Sequence, residues 1–304
     1  MFDVRCARTS PPGLSHRTLH IEQRTLPMSH IHPTAVIDAA AELADDVVIG
    51  PYCVVGPHVK IGPATQLMSH VVVTGRTSLG AANRIWHHAT LGGDPQDLKY
   101  RGEPTELIVG DRNDVREYVT MHIGTANGDG RTTVGDDNLL MVGAHIAHDS
   151  HIGDHCVLAN NVMLAGHITI EDFAVVSGGA ALHHFVTVGR YAFVGGNAGV
   201  VHDCPPYMVS DGHPARVRAV NTIGLQRHGF DEHRLERLKH LCRTLYRRDN
   251  GHNQAQVIHA MAQRYGDDPA CREVCAFARR AADAPNARHR ESLRRDDKRA
   301  TPTR

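Results

Sequence analysis

The chain has 304 residues, 33 of them basic and 33 acidic, and 41% are hydrophobic. Balanced charge supplies no overall basic field to hold a nucleic acid or an anionic membrane, and the hydrophobic fraction is that of a folded chain. No apolar run approaches the roughly 20 residues that a membrane span requires, so no stable membrane insertion is expected.

Residues 1–28 carry charge throughout and lack the apolar core of a signal peptide. Met28 directly precedes the patterned sequence, and the stretch up to it is expected to be a disordered extension. Seven cysteines, odd in number and without a CxxC pair, argue against a disulfide framework or zinc finger and for a reducing, cytoplasmic setting. Histidine is overused, at 24 residues, so it carries either chemistry or surface.

From Ile31 the chain has a period of six. Ile31, Ile37, Leu43, Ile49, Val55, Ile61, Leu67, Val73, Leu79, Ile85 and Leu91 fall on one phase, which resumes at Val109, Val115 and Met121. After a skip of one residue it restarts at Val134 and runs through Leu140, Ile146, Ile152, Leu158, Leu164, Ile170, Val176, Leu182, Val188 and Val194 to Val200. With 41% hydrophobic residues, the 23 matches of the two long runs have a chance probability on the order of 10^-9. Six residues are too many for a helical turn and too coarse for simple alternation. The period predicts short strands joined by sharp turns in a parallel β-helix with three sides, three hexads making each coil. At about 4.8 Å per coil, eight to nine coils make a solenoid roughly 40 Å long.

Two excursions interrupt the pattern, at 92–108 and 124–133, and the β-helix is expected to span 29–212. The Pro205–Pro206 pair cannot continue ladder pairing. From 213 to 285 the pattern turns helical, with Leu235, Leu238, Leu241 and Leu245 behind an Asp231 cap and amphipathic stretches near 253–265 and 268–284. Residues 286–304, rich in Arg and Asp, read as a disordered tail.

A coil of three hexads converts spacing into geometry, because residues i and i+18 lie one above the other. His148, Gly166, His184 and His202 share one column, and Asp149, His167, Phe185 and Asp203 share the next. A histidine beside a carboxylate, one coil below a glycine, can act as a base whose oxyanion partner is the glycine N–H. Stacked polar ladders on a β-helix exterior are equally compatible with this spacing.

The segment from Asn138 to Phe185, NLLMVGAHIAHDSHIGDHCVLANNVMLAGHITIEDFAVVSGGAALHHF, the loop QDLKYRGEPT at 96–105 and NTIGLQRHGF at Asn221 to Phe230 resemble the UDP-N-acetylglucosamine 3-O-acyltransferase family of lipid A biosynthesis. The likeness covers roughly residues 30–232, with the motifs in order. It implies a left-handed β-helix, assembled as a cytoplasmic homotrimer with sites between subunits. It also implies transfer of a 3-hydroxyacyl chain from acyl carrier protein to the sugar 3-hydroxyl without metal or other cofactor. On the matched positions the resemblance makes His148 the general base, Asp149 its orienting carboxylate and Gly166 the oxyanion donor. His145 and His167 would hold the sugar or pantetheine end, and Asp97 and Lys99 would reach a neighbouring subunit's site. His122, His183, His184, Gly178, Asn221 and Arg227 match further substrate positions, the last two on the nucleotide side. Gly196 matches the place where side-chain bulk sets acyl length.

Four positions depart from the family pattern around substrate: His184 stands for Gln, Ile123 for Arg, Ile223 for Glu and His228 for Arg. They bear on donor or sugar preference. Arg216, Arg218, Arg227, Arg234 and Arg237 offer a basic surface to an acidic carrier protein. Alternatives are the N-acyltransferase of the same pathway, for which fewer than thirty preceding residues leave no N-terminal domain, a zinc-dependent γ-type carbonic anhydrase with three histidine ligands, and a non-catalytic paralogue.

Overall fold

The computed structural model describes residues 30–247 and 254–283; the expected extension at 1–28 and tail at 286–304 lie outside the described residues. Strands, all parallel except the last, stack into three faces of eleven, nine and eight strands. On the first face His30 pairs with Val48, Val48 with Gln66 and Gln66 with Arg84, each a step of three hexads. Arg84 then pairs with Asp114 and Asp114 with Leu139, so the coils that carry the excursions lengthen without losing register. A parallel β-helix with a C-terminal helical region is what the period and the leucine spacing predict.

Every inward residue on the six-residue phase from Ile49 to Val200 is buried, whereas Ile31 at the open end of the stack is 41% exposed. Each fully buried aliphatic side chain contributes roughly 1.5–3 kcal/mol, and their column is the core. The glycines that follow inward residues are there for clearance: a Cβ at Gly62 or Gly110 would lie 2.7 or 2.8 Å from the main chain of the next coil. Three positions beyond the inward residue the chain passes through the left-handed region, as at Tyr52, His70, His88 and Tyr118. That conformation costs a residue with a Cβ roughly 1–2 kcal/mol. His and Asn tolerate it better than most residues, and stacking of His70 on His88 and His88 on Tyr118, with centroids 4.9 and 5.0 Å apart, offsets part of it. Three of the 24 histidines, His70, His88 and His155, therefore lie in stacked corner ladders. At the corner between the third and first faces the interior is polar and laddered, Asn83 Oδ1 accepting from the Asn113 N–H, Asn113 Oδ1 from the Asn138 N–H and Asn138 Oδ1 from the Cys156 N–H, while the Asn138 amide nitrogen is buried without a partner.

The strands trim both excursions. Thr90–Gly93 and Glu106–Val109 are paired, as are Thr120–His122 and Arg131–Val134. The irregular stretches are therefore 94–105 and 123–130 rather than 92–108 and 124–133, because main-chain groups beside an existing ladder find partners in it. The turn to helix at residue 213 also needs correction. Met208–Gly212 adds in parallel to Phe193–Val194, and Ala215–Val220 returns antiparallel beside it. Alternation of Ala215, Val217 and Ala219 with Arg216 and Arg218 is a strand signal in the sequence.

Helices follow: α1 (Thr222–Arg227), α2 (Glu232–Cys242), α3 (Gln254–Arg264) and α4 (Pro269–Asp283). The Asp231 side chain caps α2 by accepting from the Arg234 N–H at 2.8 Å. Leu235, Leu238, Leu241 and Leu245 are buried against α4 residues such as Val274, and Tyr207, just past the last full coil, donates a hydrogen bond to Glu273 of α4. Among the described residues no helix is long and apolar enough to cross a membrane, and the six described cysteines are buried free thiols.

Candidate active site

The corner between the second and third faces collects the chemistry. There His148 and Asp149 follow the strand His145–Ile146, and both are buried, at 6% and 2% exposure. The His148 Nδ1–H donates to Asp149 Oδ2 at 2.8 Å, which fixes the tautomer and leaves Nε2 as the ring's basic atom. The backbone N–H of His167, one coil on, bonds the His148 carbonyl at 3.0 Å. Its ring meets that of His148 edge-on with centroids 5.1 Å apart, and its Nδ1 lies 3.8 Å from Asp149 Oδ2. Phe185, another coil on, stacks on His167 at 4.5 Å.

Gly166 lies directly against the imidazole. A Cβ there would sit 2.5 Å from His148 Cε1 and 2.8 Å from Nε2. Glycine at this position makes room for the histidine ring itself, a role beyond the N–H donor expected from the column. Among the described residues the Gly166 N–H meets no acceptor, as is usual at this corner position, and it stays available as a donor.

The second excursion closes over the carboxylate. Asp149 accepts from Thr125 twice, Oδ1 from the main-chain N–H at 3.0 Å and Oδ2 from the hydroxyl at 2.7 Å. Its own N–H donates to Thr132 at 2.9 Å. Burial alone would raise the Asp149 pKa, but the hydrogen bonds from His148 and Thr125 outweigh it and hold the carboxyl below the ordinary range. Thr125 and Thr132 escaped the sequence reading because the insertion in that coil breaks the column rule.

His145 lies on the second face just before the pair, with Nδ1 at 2.7 Å from the Thr120 hydroxyl. His122, 9% exposed, meets it edge-on with centroids 5.0 Å apart and has a buried Nδ1 without a hydrogen-bond partner. Burial first, then the neighbouring His145 and His148, lower the His122 pKa to about 4; burial and His148 likewise lower that of His145. The structure thus joins His122, His145, His148, Asp149, Gly166 and His167. His183 and His184 lie at the same corner one coil above His167, their rings edge-on at 5.4 Å. His148, Asp149 and His167 also form a group whose ligand atoms lie within 4.8 Å of one another, two histidines and a carboxylate rather than the three histidines of the zinc alternative.

The remaining predicted residues lie elsewhere. Asp97 and Lys99 stand on the first excursion, where the Lys99 N–H bonds Asp97 Oδ1 at 3.0 Å and Leu98 between them is 90% exposed. Gly178 and Gly196 stack at the corner between the first and second faces. Asn221 and Arg227 sit at the corner between the third and first, where Asn221 caps α1 and donates to the Tyr191 carbonyl at 3.0 Å. Of the four departures, Ile123 is buried in the core and so faces away from solvent, correcting its expected place around substrate. His228 packs edge-on against Phe173 and Tyr191, and Ile223 is exposed. Arg234 and Arg237 are turned toward Asp268 and Asp267, which reduces the basic surface expected there to Arg216, Arg218 and Arg227.

Coils of this period are those of the bacterial hexapeptide transferases, whose repeat model matches residues 28–63 and 131–166, and this sets the class. The model for the second domain of UDP-N-acetylglucosamine O-acyltransferases matches residues 203–285. The chain is similar to the UDP-N-acetylglucosamine O-acyltransferase (LpxA) of Moraxella catarrhalis RH4, with 38% identity over 82% of this chain and 96% of that one and a TM-score of 0.79. The enzyme of Francisella novicida matches at 36% identity over 80% and 89%, TM-score 0.77, and that of Arabidopsis at 32% over 83% and 96%, TM-score 0.73. The chain belongs to the UDP-N-acetylglucosamine O-acyltransferase family.

Proposed function

We propose that the protein transfers a 3-hydroxyacyl chain from acyl carrier protein to the 3-hydroxyl of UDP-N-acetylglucosamine, the first step of lipid A biosynthesis, in the cytoplasm. The observation that carries this reading is the buried His148–Asp149 pair lying on Gly166. His148 Nε2 takes the proton of the sugar hydroxyl as its oxygen attacks the thioester carbonyl. The Gly166 N–H donates to the oxyanion of the tetrahedral intermediate. Collapse breaks the carbon–sulfur bond, and the imidazolium returns its proton to the departing thiolate. A thioester is already activated, so one base and one oxyanion donor are chemically sufficient.

The placement of the other residues supports a homotrimer. Asn221 and Arg227 lie at a different corner from His148, and a rigid triangular solenoid cannot bring two of its own corners together. Asn221 and Arg227 reach the same substrate only from a neighbouring copy, and Asp97 and Lys99 on the outward loop serve a neighbour in the same way.

The test is to incubate the purified protein with UDP-N-acetylglucosamine and a panel of 3-hydroxyacyl carrier proteins and to follow the acylated nucleotide sugar by mass. His148→Ala is expected to lower the rate by about 100-fold or more. Undiminished activity in that variant would remove His148 from the mechanism.

A further inference from the structure

We infer that Thr125 is a positioning residue for acyl transfer: its hydroxyl and its main-chain N–H hold the Asp149 carboxylate in the rotamer that accepts from His148. The inference rests on the reading of His148 as the base. Two hydrogen bonds from one residue, 3.0 Å to Oδ1 and 2.7 Å to Oδ2, leave the carboxylate no freedom to rotate about its Cβ–Cγ bond. Oδ2 is also the atom that accepts from His148 at 2.8 Å, so the hydroxyl and the imidazole are set against a common oxygen.

The rest of the second excursion serves the same contact. A Cβ at Gly128 would lie 2.2 Å from Asp149 Oδ1, so the loop can close on the carboxylate only with a bare main chain there. The Gly128 N–H bonds the Thr125 carbonyl at 3.1 Å. Past that turn, Asp129 Oδ2 lies 3.1 Å from His151 Nε2 on the third face, and Thr132 receives the Asp149 N–H. With the Gly124 N–H on the Glu106 carbonyl at 3.1 Å before it, the loop is fastened on both sides of Thr125's contact. The ionisable groups that face the pair are His122 and His145 on the second face, His167 on the next coil and, toward His122, Asp94 at the foot of the first excursion; none is altered by the changes below.

Thr125→Val keeps the shape and the main-chain N–H but removes the hydroxyl. Hydrogen bonds to charged groups are worth enough that kcat should fall roughly 10- to 100-fold, with KM for both substrates little changed. Oδ2, deprived of one donor, should hold the imidazolium form of its partner more strongly, so the acid limb of the kcat profile should move to higher pH. Thr125→Ser should restore both. Gly128→Ala, which drives a methyl onto Oδ1 while keeping Thr125, should reproduce the loss and the shift.

A loss of activity that follows loss of folded protein in thermal melts, with an unmoved acid limb and no rescue by serine, would overturn the inference; so would a Gly128→Ala enzyme with a wild-type profile. Site-resolved carbethoxylation of His148 by diethyl pyrocarbonate against pH provides a readout that needs no turnover. If the wild-type protein transfers no acyl group, the functional reading fails. The role of Thr125 is then decided by that labelling profile, supported by a shift in Thr125→Val and overturned by coincident curves.

Discussion

Replacing Gly166 by alanine separates two explanations of why a glycine faces the candidate base. If Gly166 acted only through its N–H, alanine would keep that donor, and its φ is not in the left-handed region, so the backbone would accept the change. The geometry predicts otherwise. The new methyl would lie 2.5 Å from His148 Cε1, 2.8 Å from Nε2 and 3.1 Å from Nδ1. Ordinary carbon contacts begin near roughly 3.5 Å, so the ring must retreat by about 1 Å. It cannot do so and keep its 2.8 Å bond to Asp149, whose carboxylate is pinned by Thr125. A misplacement of about 1 Å costs on the order of 100-fold in rate, and overpacking of about 1–3 kcal/mol should show as a lowered melting temperature. Steady-state kinetics at saturating nucleotide sugar with a 3-hydroxyacyl carrier protein, read beside a melt, measures both. A Gly166→Ala enzyme with wild-type kcat would refute the argument that the glycine exists to seat the imidazole.

Gly196 should behave in the opposite way, since a Cβ there would meet only the Gly178 carbonyl, at 3.5 Å. Gly196→Met should fold normally and shift preference in a panel of carrier-protein donors toward shorter acyl chains; an unchanged preference would show that the acyl chain runs elsewhere. His122 should contribute to the acid lability of the fold. With a folded pKa of about 4 against an ordinary value of 6.5, the unfolded chain binds the proton first. Stability is therefore unaffected above pH 6.5 and falls as pH drops from there toward 4, by up to about 3 kcal/mol at roughly 1.36 kcal/mol per unit. His122→Gln should flatten that part of the pH dependence in denaturant titrations at fixed protein concentration, and an unchanged slope would count against a buried neutral imidazole.

Much of this was legible in the sequence, for a physical reason. A solenoid repeats one short-range rule, so the inward residue, the tight glycine and the three-hexad coil can be read as a period, and the His148–Gly166 and Asp149–His167 columns follow from it. What failed did so where the rule lapses. Thr125 precedes Asp149 across a coil lengthened by its excursion, and no column links the two. Ile123 has the family position of a substrate contact, but its side chain fills the core, which only packing reveals. The leucine spacing that follows dominates the local pattern and masks the strand Ala215–Val220, although its own alternation is that of a strand. The abundance of histidine was informative only in part, since His70, His88 and His155 serve corner stacking while His122, His145, His148 and His167 gather at one site.

The two excursions and the His148–Asp149 pair leave the solenoid at one corner, on three successive coils, after the strands Thr90–Gly93, Thr120–His122 and His145–Ile146. Insertion at a corner costs the ladder nothing, since the next strand resumes in register whether or not the coil carries an excursion. Chemistry can therefore be added there without altering the core. The two loops use that freedom in opposite directions. The second turns inward and sets its hydroxyl and its glycine against Asp149 of its own chain, whereas the first turns outward, with Leu98 exposed between Asp97 and Lys99. A loop that stabilises its own carboxylate acts within the chain, whereas a loop that holds an exposed aliphatic side chain out between two opposite charges has a surface to offer a second chain. On the proposed trimeric reading the inward loop supports the proposed base of its own chain, and the outward loop, with Asp97 and Lys99, is the part proposed to serve a second copy.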